Sequence, residues 1–159
     1  MFRKMRRFKQ EISKDECIEI LKSQKRAVLS VIGNDGYPYG VPINFYYNPD
    51  DGKIYFHSAM SGHKVDAIKA CSKVCFTTYT DGVQKKDWSY HVKSVIAFGR
   101  AFEVEDQEFV KETVKKFAMK YYPSDEEKEV DEDIAKNMPR MKFIGIEIEH
   151  MTGKCVHEK

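Results

Sequence analysis

Cysteine is scarce in this chain and scattered. Cys17, Cys71, Cys75 and Cys155 form no Cys-x-x-Cys pair and lack the flanks of a zinc knuckle, so neither a disulfide framework nor a zinc motif organises the fold. No apolar run is long enough to span a bilayer. Met1 to Gln10 has no apolar core of a secretory leader. The expectation is a cytoplasmic protein with reduced thiols, with Cys71 and Cys75 packed in the core. An excess of one charge is missing too: the formal net charge of +2 gives no field for nucleic acid or a membrane surface. Gly-x-Gly-x-x-Gly is absent, which excludes a dinucleotide held in the Rossmann manner. No Ser-His-Asp order and no carboxylate pair stands out. The acidic run Asp125 to Glu129 reads as solvated.

What is present reads as one domain over residues 1–159, with a basic arm (1–12) and a short C-terminal tail (151–159). Ser13 and Glu16 form a capping box, and Cys17, Ile18, Ile20 and Leu21 give the helix after it an apolar face ending near Gln24. Strands follow at Ala27 to Ile32, Tyr39 to Tyr47 and Lys53 to Ser58, joined by Gly- and Asn-containing turns into a meander. Pro38 and Pro42 donate no hydrogen bond, so at least part of the second strand belongs at a sheet edge, a bulge or an open seam. Lys64 to Ala70 reads as a short helix. Lys73 to Tyr79 and Tyr90 to Val104 return to β structure, with Gly99 marking a bulge or close approach. Asp106 caps a helix with Phe109, Val110, Val114, Phe117 and Tyr121 on its apolar face, and Pro123 stops it. Met141 to His150 alternates as a half-buried final strand. Strands joined by short turns, with helices outside, point to a small antiparallel β-barrel rather than a doubly wound sheet.

Two segments carry chemistry. Phe56 to Lys64 runs from a strand through small residues into a helix start. The first amides of a helix lack intrahelical partners and its dipole favours an anion. Gly62 allows close backbone approach, Lys64 supplies a point charge, Ser58 and Ser61 supply hydroxyls, and His63 adds a donor. The plainer alternative makes Ser61 an ordinary N-cap and His63 and Lys64 solvent-facing. The second segment, Gly36 to Phe45, is a strand whose prolines leave backbone groups free to meet a planar heterocycle, or simply protect an edge.

Together these segments resemble a family. Gly36-Tyr37-Pro38-Tyr39 with Val41-Pro42-Ile43-Asn44, the loop ending in Gly62-His63-Lys64, and Lys93 to Ala101 resemble the FMN-binding split-barrel proteins related to pyridoxamine-phosphate oxidase. Met5-Arg6-Arg7 and the helix after Ser13 resemble its nitroimidazole-resistance-like branch. The resemblance implies a six-stranded antiparallel split β-barrel with peripheral helices, and a homodimer with two FMN sites at its interface. It implies that Val41, Pro42, Ile43 and Asn44 run beside the flavin ring. His57 and Ser58 would lie near the ribityl chain and phosphate, and Ser61, Gly62, His63 and Lys64 at the phosphate. Ser94 would be a polar ring contact.

The chain departs from the oxidase at its end. Trp88 is the only tryptophan, and Met151 to Cys155 replaces a Trp- and Arg-rich substrate segment. The implied activity is therefore an FMN-dependent oxidoreductase that reduces a small nitroaromatic or heterocyclic acceptor, with His63 as the candidate catalytic residue. His63-Lys64 stands where the oxidase has Arg-Lys, so a charged His63 would weaken FMN binding as pH rises through the imidazole range. The alternative of another class is a carrier or sensor that binds FMN or haem without turnover, with His57, His63 or His150 as axial ligand. Asp87 to His91 is a polar-aromatic cluster suited to a substrate side or an interface rim. His150 and His157 flank Cys155 at no defensible ligand spacing. A third reading, RNA binding by the basic arm, is opposed by the near-neutral charge.

Overall fold

The computed structural model describes residues 1–123 and 127–158. The run 125–129 predicted to be solvated lies outside the described residues, either wholly or in its side chains. Helices α1 (Lys14–Ser23), α2 (His63–Ala70), α3 (Gln107–Tyr121) and α4 (Glu127–Asn137) surround a single antiparallel sheet. Its strands are β1 (Arg26–Ile32), β2 (Pro38–Asn44), β3 (Tyr46–Asn48), β4 (Lys53–Ala59), β5 (Lys73–Tyr79), β6 (Val83–Gln84), β7 (Tyr90–Glu103) and β8 (Met141–Glu158). The order is β2-β1-β5-β7-β8-β4-β3, with β6 alongside β7.

That order explains why the sheet curls. β2 and β3 lie at opposite ends of the path, yet only Phe45 separates them in the chain. Consecutive Cα atoms are about 3.8 Å apart, so the two edges must meet at Phe45. Among the described residues no ladder joins β2 to β3 or β4, and the barrel stays open along that seam. The fold is thus a split barrel, of eight strands rather than six. The expected Tyr39 to Tyr47 strand is two strands on opposite edges, and the expected meander is two separate hairpins. Alternation within Tyr39 to Tyr47 is continuous, so periodicity alone could not reveal the break.

Phe45 is fully buried and its ring packs edge-on against Phe76 at 4.8 Å. Leu29, Ile54, Phe56, Val95 and Ile146 fill the barrel around it, and α1 adds Cys17, Ile20 and Leu21. α3 lies outside, over Tyr55 and Phe143. The caps read from sequence are present: in the capping box Ser13 Oγ accepts from Glu16 N–H, and Asp106, as a simple N-cap, accepts from Glu108 and Phe109 N–H. The core cysteine is Cys17; Cys71 and Cys75 are only half-buried, because Cys75 points to the outer face of β5.

The end of α3 fastens the Phe45 corner. The Tyr121 hydroxyl accepts from Phe45 N–H at 2.9 Å and also contacts the carbonyls of Phe45 and Lys25. Lys120 Nζ donates to Phe45 O at 3.2 Å and Leu21 O at 3.4 Å, and stands 4.2 Å above the Phe45 ring. Burial, and then the nearby Lys25 charge, pull the Lys120 ammonium down to about 8. Between that value and the ordinary lysine range the unfolded chain binds more protons than the folded one, so deprotonation favours the fold as pH rises. The stability of the wild type relative to Lys120→Met is expected to rise between about pH 8 and pH 10. Urea melts of both proteins across that range check this, and a flat or falling difference contradicts it.

Gly99 marks the bulge expected of it. The β7–β8 register shifts between Phe98, opposite His150, and Gly99, opposite Ile148. A Cβ at Gly99 would lie 2.2 Å from the Glu147 carbonyl oxygen, so only glycine fits. β8 does not stop at His150: Met151 to Glu158 continue the ladder on β7. No helix among the described residues is long and apolar enough to cross a membrane.

Candidate functional site

β4 delivers the chain into the loop Met60 to Gly62 and then into α2. Ile54, Phe56 and Ser58 face the barrel interior, whereas His57 and Ala59 face outward toward α3. Gly62, at φ 130°, occupies the N-cap of α2, and no side chain caps the first turn. The N-cap expectation for Ser61 is therefore corrected. Ser61 is exposed, and the opening amides of α2 have no side-chain acceptor. A Cβ at Gly62 would meet nothing within 4 Å, so the space beside that residue is open.

Lys64 begins the same turn. Its Nζ lies 5.5 Å above the Phe56 ring, and burial lowers its pKa from the ordinary lysine range. His63 turns the other way. Its ring stacks on Tyr39 of β2 at 4.3 Å, and a Cβ at Gly33 would lie 2.8 Å from its Nε2. The His63 ring thereby pins the start of α2 to the β1–β2 hairpin.

His57 meets the Phe117 ring edge-on at 5.4 Å. It keeps access to solvent, but the surrounding walls, and then the Lys64 charge, hold its imidazole below the usual range. It lines a cleft of about 710 Å³ between β4, α3 and α4, together with Asn44, Ser58, Phe117, Tyr121 and Arg140. The cleft thus joins the end of β2 to the end of β4.

The four β2 residues divide by strand parity. Val41 and Ile43 face the core, and Pro42 and Asn44 face outward. β1 pairs with β2 on one side only, and proline cannot donate, so both prolines sit where an open edge tolerates them. Ser94 is not brought to this group. It pairs with Tyr79 and Lys154, three strands from β2, or roughly 14 Å across the sheet. Within one chain the structure gathers Asn44, His57 and Ser58 around the cleft, with Ser61, Gly62 and Lys64 next along the chain. It leaves Ser94 apart. Sequence reading missed three residues of the cleft wall, Phe117 and Tyr121 of α3 and Arg140 of the short turn after α4. The apolar face of α3 named the first two as core residues, but nothing local showed that they would wall a cleft.

A sequence model described as pyridoxamine 5'-phosphate oxidase matches residues 13–155. The chain belongs to that family. No curated protein sequence matches it. Among solved structures it is similar to a candidate 5-nitroimidazole antibiotic resistance protein of Bacteroides thetaiotaomicron VPI-5482. The identity is 24%, 93% of this chain and 87% of that one are covered, and the TM-score is 0.73. A conserved hypothetical protein of Mycobacterium tuberculosis superposes with a TM-score of 0.80 at 18% identity, over 95% and 90% of the two chains. A FAD-binding protein of Mesorhizobium loti gives 0.68 at 23% identity, over 92% and 97%. At these identities the likeness establishes the split-barrel fold.

The residues of this family member fit a flavin nucleotide's phosphate on their own geometry. An uncapped helix start, an open space over Gly62 and a partly buried Lys64 form a cradle for an anion. Beside it, the outward surface of Pro42 and Gly40 is exposed and has no side chain larger than a proline ring.

Proposed function

We propose that this chain binds FMN and works as an oxidoreductase that passes electrons to a small nitroaromatic or heterocyclic acceptor. The observation that carries the proposal is the uncapped α2 start with Lys64, next to the cleft that holds Asn44 and His57. Membership of the pyridoxamine 5'-phosphate oxidase family supports a flavin over other anionic ligands. The likeness to the Mesorhizobium loti FAD-binding protein supports a flavin as well.

A flavin, when bound, supplies reversible electron uptake at its ring. The work of the chain is to bind, orient and shield it. The α2 amides and Lys64 hold the phosphate, with Ser61 as hydroxyl donor and His63 at the edge of the same turn. Pro42 and Asn44 offer the ring a flat edge, with Val41 and Ile43 anchoring that strand in the core. His57, neutral at pH 7 by the direction of its shift, donates or accepts a hydrogen bond without placing a second cation beside Lys64. His63, on the same turn as Lys64, is the residue proposed for a catalytic role.

The site is proposed to be completed by a second copy in a cytoplasmic homodimer. The outer face of β2, β1, β5 and β7 exposes Ile32, Tyr79 and Phe98, an apolar surface of the kind that marks an interface. Ser94 lies on that face, where a partner chain's flavin would reach it.

The test is an absorption spectrum of the purified protein after adding FMN and removing the excess, with its mass in solution measured in parallel. Flavin bands at about one FMN per chain, on a dimer, are expected. A protein that keeps no flavin overturns the reading. A Soret band would instead favour the haem-binding carrier.

A further inference from the structure

Beyond the flavin site, we propose that His91, Cys155 and His157 form a binding site for one divalent transition-metal ion, with Zn2+ as the intended class. The three residues lie on adjacent strands at the outer end of the β7–β8 ribbon. His91 pairs directly with His157, and Cys155 lies two residues before His157 on the same strand. Alternation in a strand puts Cys155 and His157 on one face, and the register puts His91 opposite them. One ligand atom from each lies within 4.8 Å of the other two. Some point then lies within about 2.8 Å of all three, so closures of roughly 0.5 Å for the sulfur and 0.7–0.8 Å for the nitrogens give the ordinary Zn–S and Zn–N lengths.

The chemistry of the set favours a borderline cation. Two imidazoles and a thiolate suit Zn2+ and its neighbours, and exclude Mg2+ and Ca2+, which require oxygen ligands. The His91 and His157 rings are stacked at 3.9 Å and 7°. That contact places two nitrogen-bearing rings side by side at a strand end, and each must turn about its side-chain bonds to aim a lone pair at one ion. Cys155 and His91 are half-buried and His157 is exposed, so the position is partly shielded yet reachable from solvent. Lys93, opposite Cys155 in the ladder, is paired with Glu16 at 2.7 Å, which offsets its repulsion of an incoming ion, and the Lys85 charge near His91 is opposed by that of Asp87. Three protein ligands leave a fourth position for water or an added ligand. Binding converts the Cys155 thiol to thiolate and releases its proton to solvent. The ion would clamp the last turn of β8 to β7. The spacing His150, Cys155, His157 fits no metal motif; His91 comes from another strand.

The experiment is a Co2+ titration of the reduced, chelator-stripped, untagged full chain without flavin, followed by displacement with Zn2+. One equivalent is expected to give visible ligand-field bands of four-coordinate cobalt and a near-ultraviolet thiolate charge-transfer band. Cys155→Ser should abolish the charge-transfer band. His91→Ala and His157→Ala should each weaken binding by at least about tenfold. Cys75→Ser is the control and should change nothing. Far-ultraviolet circular dichroism of each variant separates a lost ligand from a lost fold. A titration with no such bands, or a charge-transfer band that survives in folded Cys155→Ser, overturns the proposal.

Discussion

Phe45→Ala is expected to lower the unfolding free energy by about 3–5 kcal/mol, the range for deleting a fully buried aromatic ring. Three roles meet at this residue. Its ring fills the barrel against Phe76. Its backbone joins the two edges of the sheet. Its N–H and C=O are held by Tyr121, and its C=O also by Lys120. An alanine keeps the backbone contacts but leaves a cavity that these fixed neighbours cannot close. Natural domains hold only about 5–15 kcal/mol in all, so a large fall in the urea midpoint should be evident. Phe2→Ala, at a residue 42% exposed, serves as the comparison. A loss below about 1 kcal/mol at Phe45 would mean that the corner repacks, and that the seam is not held in the manner described.

Lys64→Glu is expected to weaken FMN binding by at least about 100-fold, and Lys64→Met by about 10- to 100-fold. A hydrogen bond to a charged group is worth about 1.5–3 kcal/mol, and each 1.4 kcal/mol is tenfold. The methionine keeps most of the stem over Phe56 and removes only the charge, so it separates electrostatics from packing. Ser94→Ala removes one neutral contact and should cost less. His63→Ala tests the catalytic assignment: if FMN and turnover both persist, His63 leaves the site and keeps only its stacking role on Tyr39. Fluorescence titration of FMN on each variant gives the affinities. Wild type that binds while Lys64→Glu binds equally well would move the phosphate elsewhere. Wild type that does not bind would remove the flavin itself.

The sequence by itself determined the elements whose signals are local. The capping box at Ser13 and Glu16, the Asp106 cap, the helix stop before Pro123, the edge character of the Pro38–Pro42 strand and the Gly99 bulge all rest on interactions within a few residues or on one residue's backbone preferences. Order and spacing of motifs determined the family. The run of strand, small residues and helix start from Phe56 to Lys64, on which the proposed anion site rests, was legible because its parts follow one another along the chain.

Only the tertiary structure decided what depends on closure and register. That Tyr39 to Tyr47 breaks at Phe45 follows from the curl of a whole sheet, which no local alternation encodes. The choice of Gly62 over Ser61 as N-cap is set by how β4 turns into α2, and the stacking of His63 on Tyr39 by how that turn meets the β1–β2 hairpin. The walls that α3 and α4 give the cleft come from packing between elements far apart in sequence. The β7–β8 register, which carries β8 on to Glu158, brings His91 across from His157, sixty-six positions away, a juxtaposition that a linear scan for ligand spacing cannot see.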